Sequence, residues 1–235
     1  MYSDAFCRVY NAFGWNYFPE AVGEQLLKWM AEQGLNLRSA LDLGCGTGVL
    51  CEKLKAGGLE VMGMDLSESM IAIARSRHPE IPCEVADMVT WRPKRRFDLV
   101  TCTGDALNHI HALEDVTRVF SNVHAALNPG GWFVFDLLNE REIDTEAPID
   151  LDFDANTRAR FSMERLPDDL VQLKVAVFER GKPPFEEVIT EKIHDPDAVC
   201  MRLEEAGFVV RRRDHRVSDA SEGMGLTWFI AAQRV

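Results

Sequence analysis

Three glycines between residues 44 and 48 form the part of the sequence best suited to hold a ligand. Gly44, Gly46 and Gly48 follow a short apolar segment in a G-x-G-x-G spacing. A glycine lacks the Cβ atom that would block tight backbone angles or the close approach of a ligand. The fingerprint that cradles a dinucleotide pyrophosphate, G-x-G-x-x-G, would need its third glycine where Val49 stands. Asp42 adds negative charge beside the turn, so the pattern favours a small cationic ligand.

Apolar segments alternate with helical patterns on both sides of this turn. Strands are predicted at 40–43, 60–64, 82–85, 97–102 and 131–136, and helices at 19–33, 47–56, 67–76 and 113–127. Such alternation predicts a parallel sheet with right-handed crossovers and helices on both faces. The ligand should then lie beyond the carboxyl ends of the strands, at the end of the sheet that carries the glycine turn.

The pattern changes after Asn139. Positions 171, 173, 175 and 177 are apolar and alternate with a more polar set, which is typical of a strand with one wetter face. Three antiparallel strands are predicted at 161–166, 171–178 and 185–194. Because they interrupt the parallel core, they are expected to pack over its ligand-binding end. A helix is then predicted at 195–206.

Five motifs follow one another in a fixed order, at 41–48, 61–67, 83–88, 97–105 and 127–136. The series resembles the motifs of class I S-adenosylmethionine-dependent methyltransferases, in particular those that act on small molecules and carry an antiparallel β insertion. It covers about residues 37–139, and a weaker likeness continues at the C-terminal end, where residues 208–217 and 225–234 resemble the final antiparallel strand pair of that fold. The resemblance implies an α/β, Rossmann-like fold with a seven-stranded, mostly parallel sheet, an antiparallel C-terminal strand and a small antiparallel insertion.

The same resemblance implies four parts. Residues 1–36 are expected to form an N-terminal helical lid and residues 37–139 the cofactor-binding core. Residues 140–193 are expected to form the insertion that shapes the acceptor pocket, and residues 194–235 the C-terminal part of the core. The aromatic start of the chain has an alternative interpretation, in which its rings simply anchor the arm by apolar burial.

The implied cofactor is S-adenosyl-L-methionine, with S-adenosyl-L-homocysteine as its product. Asp65, about 20 residues beyond Gly44, is predicted to bind the ribose hydroxyls. Asp87 is predicted to meet the adenine amino group, and Asp42 either assists the methionine amino group or orients the turn. The other predicted cofactor contacts are Tyr2, Tyr10, Gly44, Cys45, Gly46, Gly48, Leu66, Ser67, Met70, Ala86, Met88, Thr103, Gly104 and Asn108.

Asp105, His109 and His194 are the predicted catalytic residues. Asp105 could hold a protonated amine, and His109 could remove a proton near neutral pH. His194 lies where the chain leaves the insertion. Asp105 and Asn108 could instead cap a helix. Methyl transfer depends mainly on alignment, which can supply roughly 7–11 kcal/mol, so the chemistry requires neither a covalent nucleophile nor a metal, and no metal site is predicted.

Composition restricts the partners. The net charge of −12 and the pI near 5.0 disfavour nucleic acid, because phosphate backbones are bound by clustered Lys and Arg. The six cysteines form no C-x-x-C pair, which favours reduced thiols. Neither a targeting segment nor an apolar run of membrane-spanning length is recognised. A cytoplasmic enzyme, monomeric or homodimeric, is therefore predicted.

The predicted function is methyl transfer by in-line displacement to a small-molecule acceptor, with an amine nitrogen slightly favoured because of Asp105. Two alternatives stay open: small-molecule O-methylation, and binding of the cofactor without methyl transfer. Nicotinamide-dependent hydride transfer is a weaker third, because Asp42 and Val49 disagree with a pyrophosphate site.

Overall fold

A computed structural model describes residues 2–138, 147–214 and 227–235. The helices are α1 (Asp4–Val9), α2 (Tyr17–Glu32), α3 (Val49–Ala56), α4 (Glu68–Arg77), α5 (Leu113–Ala126) and α6 (Pro196–Glu205). The strands are β1 (Ser39–Leu43), β2 (Glu60–Asp65), β3 (Cys83–Val85), β4 (Phe97–Cys102), β5 (Leu127–Leu138), β6 (Ile149–Asp152), β7 (Thr157–Leu166), β8 (Leu170–Glu179), β9 (Phe185–Lys192), β10 (Phe208–Asp214) and β11 (Thr227–Arg234). Short 3-10 helices occupy Asn11–Phe13 and Ala106–His109.

The main sheet has seven strands in the order β10, β11, β5, β4, β1, β2, β3. Strands β1 to β5 are parallel to one another, whereas β11 runs antiparallel to both β5 and β10. The strand order reverses between β1 and β4, which is the switch point where open α/β sheets bind ligands. The predicted fold class is confirmed.

Helices cover both faces of this sheet, so the parallel strands are buried on both sides. One apolar cluster joins the sheet to α5 and α6 through residues such as Phe120 and Leu203. A second cluster joins the opposite face to α2, α3 and α4 through Leu26, Leu54 and Ile71. The two layers hold the carboxyl ends of the strands in fixed positions, which is what the site requires.

The insertion is a separate antiparallel sheet in the order β6, β7, β8, β9. The prediction of three strands was wrong, because it omitted β6. This strand is only four residues long and none of its residues is buried, so its sequence pattern carries little burial signal. It is held by backbone pairing with β7, where Ile149 lies opposite Phe161, and by the ion pair between Asp150 and Arg160.

The insertion packs against the start of the chain. Phe6 and Phe13 share an apolar cluster with Ala159, Val175 and Ile189 of the insertion. Burial of these rings attaches the N-terminal arm to the insertion rather than to the main sheet alone.

Most described element ends lie within two residues of the sequence prediction, but β7 begins at Thr157 instead of 161. Strand β5 begins at Leu127 instead of 131, because Leu127 already pairs with Phe97 of β4 ahead of the irregular Asn-Pro-Gly-Gly segment. The predicted strand segments 215–217 and 225–226, and the predicted domain boundary at 139/140, lie outside the described residues. The four-part division of the chain stays a prediction. Among the described residues, every helix is too short or too polar to cross a membrane.

Candidate functional site

A cavity of about 810 Å³ lies at the carboxyl ends of the parallel strands. Each of the five strands β1 to β5 contributes to it at or just beyond its end, through Asp42 and Gly44, Asp65, Ala86, Thr103 and Leu138. The insertion and the N-terminal arm supply the remaining walls. One continuous space is thus bordered by the glycine turn, by the loop after β4 and by the insertion.

The glycine turn is tied to the end of β2. Oδ2 of Asp65 accepts a hydrogen bond of 2.9 Å from the amide of Gly46, and Oδ1 accepts one of 2.8 Å from the amide of Ser67. Gly46 borders the cavity, and a Cβ atom added to it would have no atom of the described chain within 4 Å. The bare backbone of Gly46 therefore faces space that a ligand can fill.

Asp42 lies at the floor of the cavity and is almost inaccessible to solvent. Its carboxyl accepts a hydrogen bond of 2.7 Å from the Thr101 hydroxyl and a weaker one from the Cys51 thiol. Burial raises the pKa of Asp42 to about 7. A cationic group in the cavity would favour the ionised form.

The loop after β4 is fixed by a buried carboxyl of β5. Asp136 accepts hydrogen bonds of 2.9 Å from the amides of both Gly104 and Asp105. These bonds hold Asp105 in a left-handed backbone conformation at φ 58°, which is uncommon for a residue other than glycine. Oδ1 of Asp105 is buried without a hydrogen-bond partner among the described residues. Burial raises the pKa of Asp105, and burial together with the charge of Asp105 raises that of Asp136.

Three polar side chains from distant parts of the sequence meet beside this loop. Nε2 of His109 lies 3.2 Å from the Tyr2 hydroxyl and 3.5 Å from Oε1 of Glu191. Enclosure lowers the pKa of His109, so its ring is neutral at pH 7, although about 35% of the side chain stays accessible. Burial, and then the charges of Asp105 and Asp136, raise the pKa of Glu191. Glu191 is thus a stronger base than His109, the residue predicted to remove the proton.

The N-terminal arm is attached to both sides of the cavity. The amide and hydroxyl of Ser3 donate to the carboxylate of Glu187 in the insertion, at 3.0 and 2.5 Å. On the core side, the Thr47 hydroxyl donates to Oδ1 of Asn11 at 2.9 Å. The arm therefore bridges the insertion and the glycine turn, and its aromatic rings form part of the cavity wall. These contacts agree with the interpretation of the arm as an anchor, whereas its role as a lid over the cofactor stays a prediction.

Most residues predicted for the site lie on the cavity wall. The wall includes Tyr2, Tyr10, Asp42, Gly44, Cys45, Gly46, Asp65, Leu66, Ser67, Met70, Ala86, Asp87, Met88, Thr103, Gly104, Asp105 and His109. The described wall does not include Gly48, Asn108 or His194. Asp87 also accepts bonds from the Val89 amide and the Thr90 hydroxyl, so its carboxylate shapes its own turn.

The three residues outside the wall have structural contacts instead. A Cβ on Gly48 would come within 3.2 Å of Cβ of Ala74, so this glycine allows α3 to pack against α4. Asn108 is fully buried, accepts from the Leu138 amide and donates to the Lys192 carbonyl, which joins the loop to β5 and β9. His194 is buried with Nε2 2.8 Å from the carbonyl of Ile110.

Several residues of the site were missed by the sequence reasoning. Glu191 stands in a strand whose glutamates look like ordinary solvent-facing positions. Asp136 carried a usable signal, because it lies near the carboxyl end of a predicted parallel strand, where ligand-binding groups gather. The apolar residues that the insertion contributes are Met163, Val171, Leu173, Val188 and Ile189.

Comparison with known proteins gives the context of this geometry. Residues 40–131 match the family described as "Methyltransferase domain". A dTDP-4-amino-2,3,4,6-tetradeoxy-D-glucose N,N-dimethyltransferase of Saccharopolyspora spinosa is 31% identical over 137 residues, covering 57% of this chain and 53% of the relative. A ubiquinone biosynthesis O-methyltransferase of Coxiella burnetii is 33% identical over 120 residues, covering 48% of this chain and 49% of the relative. The chain thus spans about half the length of these relatives.

A solved structure extends the likeness to the whole fold. The S-adenosylmethionine-bound amino pentose methyltransferase CalS10 of Micromonospora echinaspora superposes with a TM-score of 0.79 at 22% identity, over 100% of this chain and 98% of that one. At this identity the likeness concerns the fold. The resemblance predicted from the motifs is confirmed over residues 40–131, which match the methyltransferase-domain family, and the whole chain has the fold of solved S-adenosylmethionine-dependent methyltransferase structures.

Proposed function

We propose that this protein transfers a methyl group from S-adenosylmethionine to the amine nitrogen of a small molecule. The observation that carries the proposal is a single cavity that joins the Gly46 and Asp65 turn to the carboxyls of Asp105 and Glu191. The first pair suits a nucleoside with a cationic side chain. The second pair suits a cationic acceptor.

The residues present fit this cofactor. The open side of Gly46 leaves room for a ligand against the backbone, and the carboxylate of Asp65 keeps further lone pairs for ribose hydroxyls. Ala86, Asp87 and Met88 would border the adenine, while Thr103 and Gly104 would border the methionine portion. When bound, the cofactor supplies an electrophilic methyl group on a sulfonium.

The chain itself orients the acceptor, excludes water and takes up a proton. The arm and the insertion enclose the cavity, and enclosure strengthens charge interactions within it. An ammonium must lose a proton before its nitrogen can attack a methyl group. A bound ammonium favours the ionised form of Glu191, which can then accept that proton, and the neutral ring of His109 lies beside it to pass the proton on.

The choice of nitrogen is supported by the acidic surroundings and by the names of similar proteins. The Saccharopolyspora relative is named as an N,N-dimethyltransferase of an amino sugar. The Coxiella relative is named as an O-methyltransferase, so O-methylation is the second candidate. Two carboxyls stabilise a bound ammonium more than a bound hydroxyl, because hydrogen bonds between ionised groups are stronger. We therefore propose N-methylation ahead of O-methylation.

Calorimetry with S-adenosylmethionine, S-adenosylhomocysteine and NAD tests the cofactor. We expect both adenosyl compounds to bind and NAD to fail. Mass spectrometry of amines incubated with S-adenosylmethionine then separates an enzyme from a protein that only binds the cofactor. Binding of NAD alone would contradict the proposal.

Replacement of Asp65 tests the ribose contact. We expect Asp65→Ala to weaken S-adenosylhomocysteine binding by about tenfold to a hundredfold, because hydrogen bonds to a charged group are worth roughly 1.5–3 kcal/mol. Calorimetry measures the loss, and thermal unfolding verifies that the variant is folded. Asp65→Asn, which keeps the shape and one acceptor oxygen, should lose less. An unchanged dissociation constant in Asp65→Ala would remove this residue from the site.

Location and assembly belong to the same proposal. All six cysteines are free thiols and five are buried, which supports a reducing compartment such as the cytoplasm. We propose a monomer or homodimer that acts on a metabolite, and the acidic cavity supports an acceptor other than nucleic acid.

A further inference from the structure

The face of the insertion that borders the cavity is apolar up to one carboxyl. In the antiparallel ladder Ile189 lies opposite Leu173, and Leu173 lies opposite Met163, so the three form a row across three strands. Glu191, two residues along β9 from Ile189, lies opposite Val171. Side chains two residues apart share a face of a strand. The row of Met163, Leu173 and Ile189, which we name the apolar row, therefore leads directly to Glu191.

Glu191 shares the cavity wall with a second carboxyl, that of Asp105, which comes from the core. Burial, and then the charge of Asp105, raises the pKa of Glu191. The buried Oδ1 of Asp105 has no hydrogen-bond partner among the described residues, which leaves an acceptor atom for a ligand. A donor with positive charge would satisfy this atom and relieve the repulsion between the two carboxyls.

The described wall carries five carboxyl side chains and neither lysine nor arginine. The carboxyls are those of Asp42, Asp65, Asp87, Asp105 and Glu191, and two histidines, His109 and His111, also line the wall. A diphosphate or carboxylate on the acceptor would meet like charge here.

Building on the proposed function, we infer that the acceptor is a cationic amine with an apolar body, and that Glu191 determines this specificity. The ammonium lies between Glu191 and Asp105, and the body lies along the apolar row. The inference excludes amino sugars linked to a nucleotide diphosphate as the preferred acceptors of this chain.

Calorimetry on the full chain saturated with S-adenosylhomocysteine tests the inference. The probes are 4-phenylbutylamine, 4-phenylbutyrate with the same body and opposite charge, ethylamine without the body, and a dTDP-linked amino sugar. We expect 4-phenylbutylamine to bind at least about tenfold more tightly than each of the others, which corresponds to about 1.4 kcal/mol. Equal or tighter binding of any one of the other three overturns the inference, and so does the absence of binding by all four.

Glu191→Gln keeps the shape of the side chain and removes its charge. We expect this variant to bind 4-phenylbutylamine about tenfold more weakly, with unchanged affinity for S-adenosylhomocysteine. Glu186→Gln makes the same charge change at an exposed position of the same strand and should leave both affinities unchanged. Equal affinity for 4-phenylbutylamine in Glu191→Gln and the unmodified protein overturns the assignment of Glu191.

Proton release gives an independent readout. The raised pKa of Glu191 favours its protonated form in the empty cavity, and a bound ammonium favours the ionised form. His109 contacts Glu191, and Tyr2, Tyr10, Asp105 and Asp136 are the other titratable groups whose charges interact with it. Binding of 4-phenylbutylamine at pH 7 should therefore release protons, measured in buffers of different ionisation enthalpy, and Glu191→Gln should release fewer. Equal release by both proteins contradicts the role of Glu191.

The two proposals fail separately. If S-adenosylhomocysteine does not bind, the proposed function is wrong. If it binds while 4-phenylbutylamine shows no preference, only the acceptor class is wrong.

Discussion

Gly46→Val is expected to abolish binding of S-adenosylhomocysteine, with a loss of at least about a thousandfold, equivalent to about 4 kcal/mol. The backbone of Gly46 has φ +53°, and a side chain there would point into space that the described chain leaves open at the cavity. Valine would place three carbon atoms where the proposed cofactor approaches the turn. Calorimetry measures the affinity, and thermal unfolding measures the cost to the fold.

The positive φ itself destabilises a β-branched residue, so the strain needs a control. Gly34, just beyond the end of α2, has φ +64°, and a Cβ atom added to it would likewise have no atom of the described chain within 4 Å. Gly34→Val should lower the free energy of unfolding by about 1–2 kcal/mol and leave the affinity for S-adenosylhomocysteine unchanged. Tight binding by a folded Gly46→Val protein would show that the cofactor does not contact this turn.

Asp42→Asn is expected to change how stability depends on pH, by roughly 4 kcal/mol between about pH 4 and 7. The size follows from the rise in the pKa of Asp42 from 3.8 to about 7, at about 1.4 kcal/mol per pH unit. Between these values the folded protein binds more protons than the unfolded chain. The free energy of unfolding of the unmodified protein therefore falls as the pH rises through this range.

The variant lacks this contribution, so it should be about as stable as the unmodified protein at pH 4 and more stable at pH 8. Chemical denaturation across this range measures both curves. Other buried carboxyls with raised pKa values also lower the stability as the pH rises, and they are present in both proteins. They are Asp65, Asp105, Asp136 and Glu191. The difference between the two curves therefore reports the contribution of Asp42. Asp152→Asn, at an exposed position of β6, serves as the control. Parallel curves for Asp42→Asn and the unmodified protein would contradict the burial of an uncharged Asp42.

The sequence predicted the main sheet because its signals are local. Each parallel strand is a short apolar run, and each is followed by a helical pattern or a turn. The carboxyl ends of such strands must meet at one edge, so the chain order alone placed Asp42, Asp65, Asp87 and Asp105 around one cavity. The order of the motifs predicted the resemblance to methyltransferases, and residues 40–131 match the methyltransferase-domain family.

The sequence pattern did not distinguish ligand contacts from structural contacts where a residue joins segments that are distant in the chain. Asn108 resembled a ligand contact, yet its amide joins the loop to Leu138 and Lys192. Gly48 belongs to the glycine spacing, yet it serves the packing of α3 on α4. In both cases the residue type suited two roles, and only the neighbours in space distinguish them.

The sequence by itself thus determined the fold class, the glycine turn and the carboxyl at the end of β2, because these depend on periodicity and on spacing of about 20 residues. Only the tertiary structure brought Tyr2, His109 and Glu191 together, across sequence separations that no local pattern encodes. It also decided the basicity of these groups, since the pKa of a side chain depends on the burial and charge that the folded chain creates around it.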